Sequence, residues 1–267
     1  MRSNFPFCRY ESTLSMRASL AGAEQLVVQG RRPSLPAGIR IYAIGDVHGR
    51  LDLLDELLSE VDADLAGRPA DRALFVFLGD YIDRGNRSRE TIDRLIARRE
   101  MSEHVFLKGN HEQLALRCLS DPGLFDRWLR LGGAETLASY GVDLGSKIKI
   151  AELQAAFHRA LPKTHIKFFR GLQSSFACGD FFFAHAGVKP RTPLARQAEK
   201  DLLWIREEFL DSNEDFGKTI IHGHTPCHEI EVRRNRINID TGAYATGRLT
   251  CLVIEGSSLS YMNTPQP

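Results

Sequence analysis

Aspartate, asparagine and histidine recur in five short motifs, and each motif follows a run of bulky apolar residues directly or after one residue. The motifs are GDVHG at 45–49, GDYIDRG at 79–85, GNHE at 109–112, HAG at 185–187 and HGHTP at 222–226. Carboxylate, carboxamide and imidazole groups together suit borderline divalent ions such as Mn²⁺, Fe²⁺ or Zn²⁺. None of the motifs contains cysteine, which argues against a closed structural zinc site. The spacing therefore predicts a metal centre built from oxygen and nitrogen ligands.

The apolar runs before these motifs are the elements that must position them. They are short and rich in β-branched or aromatic residues, so we predict strands at 39–44, 74–78, 105–107, 181–184 and 219–221. Leucine, isoleucine and valine recur at helical spacing over 51–61 and 92–96. Further strands are predicted at 237–239, 249–254 and 259–261. Strands that alternate with helices indicate an α/β layered core.

The chain divides into one large domain with short additions at both ends. Residues 1–38 are predicted to be a flexible N-terminal extension, because 29–38 is rich in arginine, proline and glycine. The domain is expected over 39–262, followed by a tail at 263–267. Residues 112–165 have helical patterns without a strand signal, so we predict a helical insert there.

Composition narrows the range of partners. The 267 residues include 35 basic and 34 acidic side chains, for a formal net charge of +1. No bulk positive field would draw such a protein to nucleic acid or to an anionic membrane. The five cysteines are scattered and odd in number, which favours a reducing compartment, and no apolar run approaches the ~20 residues that span a bilayer. We expect a cytoplasmic monomer.

In this order and spacing, the motifs resemble the signature of the phosphoprotein phosphatase family of calcineurin-like metallophosphoesterases. The bacterial and bacteriophage serine/threonine protein phosphatases are the most similar branch, because LWIRE at 203–207 and IDTGA at 239–243 also match. The resemblance covers about residues 40–255. It implies a central β-sandwich flanked by helices, with a dinuclear metal site at one edge.

The resemblance also implies a set of metal ligands, which are Asp46, His48, Asp80, Asn110, His185 and His224. Asp80 would bridge two divalent ions, with Asp46 and His48 completing the first site and the others the second. Mn²⁺ is the expected metal, with iron, zinc, nickel or magnesium as alternatives. A hydroxide activated by such a pair attacks phosphorus in line. His222 is expected beside the ligands rather than among them.

A second group of residues is implied to act on the substrate. Arg84 and Arg206, together with Asn110, would bind the phosphate, since guanidinium groups match two phosphoryl oxygens. His111 would protonate the leaving alkoxide as general acid, with Asp83 orienting its imidazole. Glu112 is expected to be an acidic residue of a helix's first turn and not a catalyst.

The implied function is hydrolysis of phosphoserine or phosphothreonine in proteins, with phosphotyrosine also considered. The substrate would be a phosphorylated protein or a small phosphoester. One alternative is a nucleotide hydrolase similar to the symmetrical diadenosine tetraphosphatases; another is a metal-binding regulatory protein without catalysis. Residues 128–133 and 136–141 of the insert would either form the substrate pocket's wall or pack on the core as a helix pair.

Overall fold

Two mixed β-sheets form the centre of the protein. The computed structural model describes residues 24–26, 28, 32–145 and 149–265. The strands are β1 Glu24–Leu26, β2 Ile39–Ile44, β3 Arg72–Phe77, β4 Glu103–Phe106, β5 Ser175–Cys178, β6 Phe181–Ala184, β7 Thr219–His222, β8 Glu231–Val232, β9 Arg236–Asn238, β10 Thr250–Glu255 and β11 Ser258–Asn263. One sheet has the order β1-β11-β10-β2-β3-β4 and the other β5-β6-β7-β9-β8. Each contains a parallel trio, β2-β3-β4 and β6-β7-β9.

Alternation along the strands packs the two sheets against each other. In β2, Ile41 and Ala43 enter the cluster between the sheets, whereas Tyr42 and Ile44 face the helices on the outer side. In β6, Phe181 and Phe183 point into the same inter-sheet cluster. Successive strand residues point to opposite faces, so both sheets are buried on both sides. The predicted fold class, an α/β protein with a central β-sandwich flanked by helices, is confirmed.

Helices cover both outer faces of the sandwich. They are α1 Leu51–Gly67, α2 Ser88–Arg98, α3 Asn110–Cys118, α4 Phe125–Trp128, α5 Ala134–Ser139, α6 Ile150–Ala160, α7 Lys163–Arg170, α8 Glu199–Trp204, α9 Glu207–Leu210 and α10 Ala243–Thr246. A turn at Leu129–Gly133, kinked at Gly132, joins α4 to α5. Helices α3 to α7 occupy the region where a helical insert was predicted, and α8 and α9 lie on the second sheet.

The structure differs from the sequence prediction at the edges of the domain. Within the segment predicted as a flexible extension, β1 pairs with β11, and Leu26, Val28 and Leu35 are buried. The prediction that residues 1–38 lie outside the domain is therefore wrong for this part, while residues 1–23, 27 and 29–31 fall outside the described residues. At the other end, β11 runs to Asn263 and Thr264 is buried, one to two residues beyond the predicted boundary.

Within the described ranges, no helix combines the length and the apolar composition needed to cross a bilayer.

Candidate metal centre and active site

The predicted ligands lie in loops at the carboxyl ends of the two parallel trios. Asp46 and His48 follow β2, Asp80 follows β3, and Asn110 begins α3 just after β4. His185 follows β6 and His224 follows β7. Carboxyl ends of parallel strands lie at the same edge of a sheet, so each trio delivers its residues to one edge, where the two sheets meet. The structure brings all six residues into a single buried cluster.

Several residues of this cluster have left-handed backbone conformations. Six described non-glycine residues have positive φ, and five are predicted site residues: His48, Asp80, Asp83, Arg84 and His224. This conformation costs a non-glycine residue of order 1 kcal/mol or more and persists only where the surroundings impose it. The loops impose it mutually, because the N–H groups of Val47 and His48 both donate to the Asp80 carbonyl.

Asp80 lies at the centre of the cluster. Its Oδ1 is 3.4 Å from His185 Nε2, and its Oδ2 is 3.6 Å from His48 Nε2 and 3.7 Å from His111 Nε2. Burial alone would raise the pKa of Asp80, but the adjacent histidines, His185 first, hold it well below its usual range. Asp80 is thus a carboxylate whose two oxygens face opposite groups of histidines, as a bridging ligand requires.

Hydrogen bonds fix which nitrogen of each histidine faces Asp80. A carbonyl oxygen only accepts, so Nδ1–H of His48 donates to Ile82 O and Nδ1–H of His185 donates to Leu78 O, both at 2.9 Å. In the neutral form of each ring, which is the form that binds metal, Nε2 then carries a lone pair directed towards an oxygen, and His185 Nε2 lies 2.9 Å from Asn110 Oδ1. Lone pairs facing lone pairs at this distance are satisfied by a cation between them, so the donor set fits divalent metal ions.

The Asp46 and His224 side chains support the same conclusion. His224 N–H donates to Asp46 Oδ2 at 3.1 Å, and His224 Nδ1 lies 2.8 Å from Asn110 Oδ1. Asp46 Oδ1 and His224 Nε2 are buried and have no hydrogen-bond partner among the described residues. Burial, followed by the neighbouring Asp240 and Asp80, raises the pKa of Asp46 well above normal. A buried carboxylate oxygen without a partner is costly unless a cation compensates it.

The His224 loop can approach Asp46 only because Gly223 has no side chain. A Cβ atom at this position would lie 2.1 Å from Asp46 Oδ1. The triads His48–Asp80–His111 and Asp80–His185–His224 each bring three ligand atoms within 4.8 Å of one another. The predicted ligands would therefore allow two ions to share Asp80, and His111 belongs to the first triad because its Nε2 also faces Asp80 Oδ2.

His111 and Asp83 form a buried hydrogen-bonded pair beside Asp80. His111 Nδ1 is 2.6 Å from Asp83 Oδ2, and both side chains are almost completely buried. Burial lowers the pKa of His111, but Asp80 and the Asp83 hydrogen bond outweigh burial and raise it above its usual value. A histidine that retains its proton is suited to act as an acid.

The predicted phosphate-binding arginines lie on the open side of the cluster. The Arg84 guanidinium is 3.4 Å from His111 Nε2 and lies 4.4 Å above the centre of the Tyr244 ring. Arg206 is exposed, and its guanidinium donates to the His224 carbonyl at 3.5 Å. Tyr244, half-buried, also packs edge-on against His48. Arg84 and Arg206 thus present cationic groups near the ligands of the two predicted ions.

Glu112 has a more specific position than its predicted place in a helix's first turn. Its carboxylate accepts the backbone N–H groups of Gly109 and Asp80 at 2.9 Å, Tyr81 at 2.8 Å and Ile82 at 3.3 Å. Burial, with Asp80 adding to it, raises the pKa of Glu112 to about 7. Glu112 therefore binds the Asp80 loop to the start of α3, and it stays out of the ligand set.

Sequence reasoning gave no role to Asp240 or Tyr244, and it assigned the segments of Trp128 and Thr136 either to the substrate pocket or to core packing. All four residues contact the site. Asp240 is buried near Asp46, and burial raises its pKa to about 6. The IDTGA segment that contains Asp240 was recognised as a match, so that motif was the available signal. Tyr244 and the insert residues become visible only through tertiary contacts.

His222 lies beside the ligands and points away from them, as expected. Its ring packs edge-on against Phe209, 5.0 Å between ring centres, in the cluster under α9. Burial lowers the pKa of His222 to about 3, which keeps the ring neutral. Within the groups of ligand atoms described above, His224 occurs and His222 does not.

Comparison with known proteins agrees with this geometry. The chain is 29% identical over 218 residues to serine/threonine-protein phosphatase 2 of Escherichia coli, covering 79% of this chain and 90% of that protein. It is 27% identical over 232 residues to the asymmetrical bis(5′-nucleosyl)-tetraphosphatase PrpE of Anoxybacillus flavithermus, covering 78% and 88%. The crystal structure of a putative diadenosine tetraphosphatase superposes with a TM-score of 0.57 at 19% identity, covering 85% of this chain and 98% of that one.

The family assignment rests on the sequence match as well as on the fold. The model of the calcineurin-like phosphoesterase family matches residues 39–247, which contain every predicted site residue. Its relatives are hydrolases of phosphoester or phosphoanhydride bonds by name. The chain belongs to the calcineurin-like metallophosphoesterases and is a hydrolase of phosphoester bonds.

Proposed function

We propose that this metallophosphoesterase is a phosphomonoesterase that removes phosphate from serine or threonine residues of proteins, and also from tyrosine. The observation that supports it most directly is the buried His111–Asp83 pair at 2.6 Å. A serine or threonine alkoxide is a poor leaving group and needs a proton as it departs. In the cleavage of a dinucleoside tetraphosphate, the leaving group is a nucleotide whose phosphate anion is already stable, so it needs a proton less. A protected acid beside Asp80 therefore favours a phosphomonoester substrate.

The ions would be held by the six predicted ligands, with Mn²⁺ the expected metal. When bound, they supply an activated hydroxide and neutralise charge on the phosphoryl group. The mixed carboxylate, amide and imidazole donors, with no cysteine among them, support an ion of intermediate softness. Elemental analysis of protein purified without added metal would test this choice. Two tightly bound zinc ions per chain would contradict the choice of manganese.

The protein's own residues would bind the substrate and move the proton. Arg84 and Arg206 would hold the phosphoryl oxygens, since planar guanidinium groups bind such oxygens in pairs. Tyr244 restricts Arg84 by lying under its guanidinium. As the bond from phosphorus to the leaving oxygen breaks, His111 Nε2 would give its proton to that oxygen. Asp83 keeps the ring in the required tautomer through Nδ1.

A second candidate is hydrolysis of dinucleoside tetraphosphates. The similarity to PrpE favours it, although that relative is named asymmetrical and the sequence analysis considered the symmetrical kind. The half-buried Trp204 also favours it, because its ring lies 6.4 Å from that of His224 and an aromatic ring beside the ligands can stack on a nucleobase. Arg127 lies 4.6 Å from the centre of the same ring and is close enough to contact a further phosphate.

The two candidates differ in a direct comparison of rates. The Mn²⁺-loaded protein would be assayed on a phosphoserine peptide and on diadenosine tetraphosphate, with Asp80→Asn as the inactive control. We expect kcat/KM to be at least about tenfold higher for the peptide, since acid catalysis contributes 10²-fold or more with poor leaving groups. The opposite ranking would replace the first candidate with the second. No turnover of either above the control would reject both.

The phosphate-binding role of Arg206 gives a separate prediction. Arg206→Ala should raise the inhibition constants of phosphate and vanadate about tenfold, because a charge-assisted hydrogen bond contributes roughly 1.5 kcal/mol. The matched control is Arg99→Ala, an exposed arginine at the end of α2. Equal inhibition of wild type and Arg206→Ala would remove Arg206 from the phosphate site.

A further inference from the structure

The segment 128–136, which runs from the last residue of α4 into α5, lies against Asp83. Asp83 Oδ2 accepts the indole N–H of Trp128 at 2.9 Å, and Asp83 Oδ1 accepts the hydroxyl of Thr136 at 2.5 Å. With His111 Nδ1 at 2.6 Å from Oδ2, the carboxylate has three side-chain partners while being completely excluded from solvent. Two of these partners come from the insert, so the insert contacts the acid pair directly.

The same segment also holds the backbone of this turn. Asp83 N–H donates to Thr136 Oγ1 at 2.9 Å, so one hydroxyl binds both the side chain and the main chain of Asp83. The next N–H, that of Arg84, donates to the Gly132 carbonyl at 3.1 Å. Asp83 and Arg84 have positive φ values of 72° and 67°, so the segment contacts the two residues of this turn whose backbone is strained.

The local chain geometry allows this close approach. Gly132 has φ of 103°, and a Cβ atom there would lie 2.6 Å from Arg84 N. The turn Leu129–Gly133 lies between Trp128 and Thr136 and is kinked at Gly132, whose backbone is not helical. The Phe157 ring packs against the Trp128 ring, with ring centres 4.9 Å apart. The indole N–H is therefore aimed at Asp83 by the packing of the insert.

We propose that Trp128 and Thr136 are positioning residues that act through Asp83 to hold His111 in the orientation that protonates the leaving oxygen. The inference rests on the general-acid role of His111 in the proposed function. In that step the bond from phosphorus to the leaving oxygen breaks, a hydroxide oxygen bonds to phosphorus, and the leaving oxygen takes the proton from His111 Nε2. The ring regains a proton from solvent. A carboxylate free to rotate would let His111 turn away from the leaving oxygen.

The test compares leaving groups. Thr136→Val removes the hydroxyl at constant shape, Trp128→Phe removes the indole N–H, and Thr136→Ser retains the hydroxyl. In Mn²⁺-loaded protein, the first two should lower kcat for a phosphoserine peptide at least tenfold more than kcat for p-nitrophenyl phosphate, whose activated phenolate departs without a proton. KM and metal content should stay near wild type, and Thr136→Ser should restore most of the lost rate.

A matched control and a double variant separate positioning from general destabilisation. Thr91→Val removes another buried hydroxyl, one without a partner among the described residues, and should leave both rates unchanged. In a His111→Asn background, Thr136→Val should cause no further loss, because residues that act through one group are not additive.

Any of the following results would overturn the inference. Equal slowing on both substrates would indicate a structural role, and so would a full additional loss in the His111→Asn background. A third is that His111→Asn itself slows both substrates equally, which would reject the general-acid assignment of the proposed function and the inference with it. If His111→Asn shows the leaving-group bias and neither Thr136→Val nor Trp128→Phe does, only the positioning role fails.

Discussion

His48, His111 and His224 lie in one buried cluster, yet their surroundings favour different protonation states. Burial, reinforced by Arg84 for His48 and by His185 for His224, lowers the pKa of both residues well below normal. The pKa of His111 is raised instead, because Asp80 and Asp83 outweigh its burial. Metal binding needs neutral imidazole, and acid catalysis needs imidazolium. The pKa shifts therefore match the predicted roles of His48 and His224 as metal ligands and of His111 as the acid.

The HGH motif allows a matched test of which histidine binds metal. His224→Gln should reduce the metal content from two ions towards one per chain, because its ring faces Asn110 Oδ1 at 2.8 Å within the cluster. His222→Gln should retain both ions, because its ring packs on Phe209. Elemental analysis of both variants after dialysis against Mn²⁺ is the measurement. A loss of metal in His222→Gln alone would reverse the assignment.

At the scale of elements, a short chain of hydrogen bonds ties the insert to the core. The Tyr140 hydroxyl lies 2.7 Å from His165 Nδ1, and His165 Nε2 lies 2.8 Å from Asp93 Oδ1. Tyr140 directly follows α5, His165 belongs to α7 and Asp93 belongs to α2. With Nε2–H donating to Asp93 and Nδ1 accepting from Tyr140, the neutral ring satisfies both partners. The neutral form of His165 therefore joins three helices.

This link predicts a pH-dependent stability. Burial lowers the pKa of His165 despite the opposing effect of Asp93, so the unfolded chain binds a proton more readily than the folded one. Its contribution to stability is present above the ordinary histidine pKa of about 6.5 and is lost as the pH falls towards the lowered value. In metal-free protein, the free energy of unfolding should fall less between pH 7.5 and 5.5 in His165→Gln than in wild type. The exposed His158→Gln should behave as wild type; an identical pH response of all three proteins would contradict the prediction.

Most of the elements that position the site could be predicted from local sequence. The runs at 39–44 and 181–184 are strands with the predicted bounds, because bulky apolar residues followed by glycine or a polar turn are a strong local signal. Strands β1, β5 and β8 were missed. Each is two to four residues long, and their pairing partners rather than their own composition determine them.

At the scale of the whole molecule, the candidate ligands join the two sheets. Asp46, His48, Asp80 and Asn110 come from the sheet that contains β2, and His185 and His224 from the sheet that contains β7. The unfolded chain cannot present these groups together. Ions bound here should therefore stabilise the folded state by mass action.

Removal of metal should lower the melting temperature. At a free Mn²⁺ concentration 1,000 times the dissociation constant, bound metal contributes about 4 kcal/mol per site, which corresponds to roughly 10 °C for a chain of this size. Calorimetry before and after treatment with a chelator measures the shift, and added Mn²⁺ should restore it. The Asp80→Asn variant should respond weakly to either treatment. A melting temperature in wild type that is unaffected by chelator and by Mn²⁺ would argue against ions at these ligands.

The sequence could predict which residues gather at the site but less of what surrounds them. The candidate ligands are readable because each belongs to a motif at the end of one strand. The contacts of Trp128 and Thr136 with Asp83 span 45 and 53 positions, and no local pattern reports a contact of that range. The same holds for Tyr244, which lies under Arg84 from a position 160 residues further along the chain.

The hydrogen bonds of the Glu112 carboxylate bear on how metal ions exchange at the site. It accepts four backbone N–H groups and so fixes the turn that carries Asp80 from within the protein. The Asp80 loop is thereby tied to the first turn of α3, so its backbone is held in place independently of a bound ion. Release and rebinding of an ion can thus proceed by exchange of ligand bonds, with no segment of the chain having to refold in between.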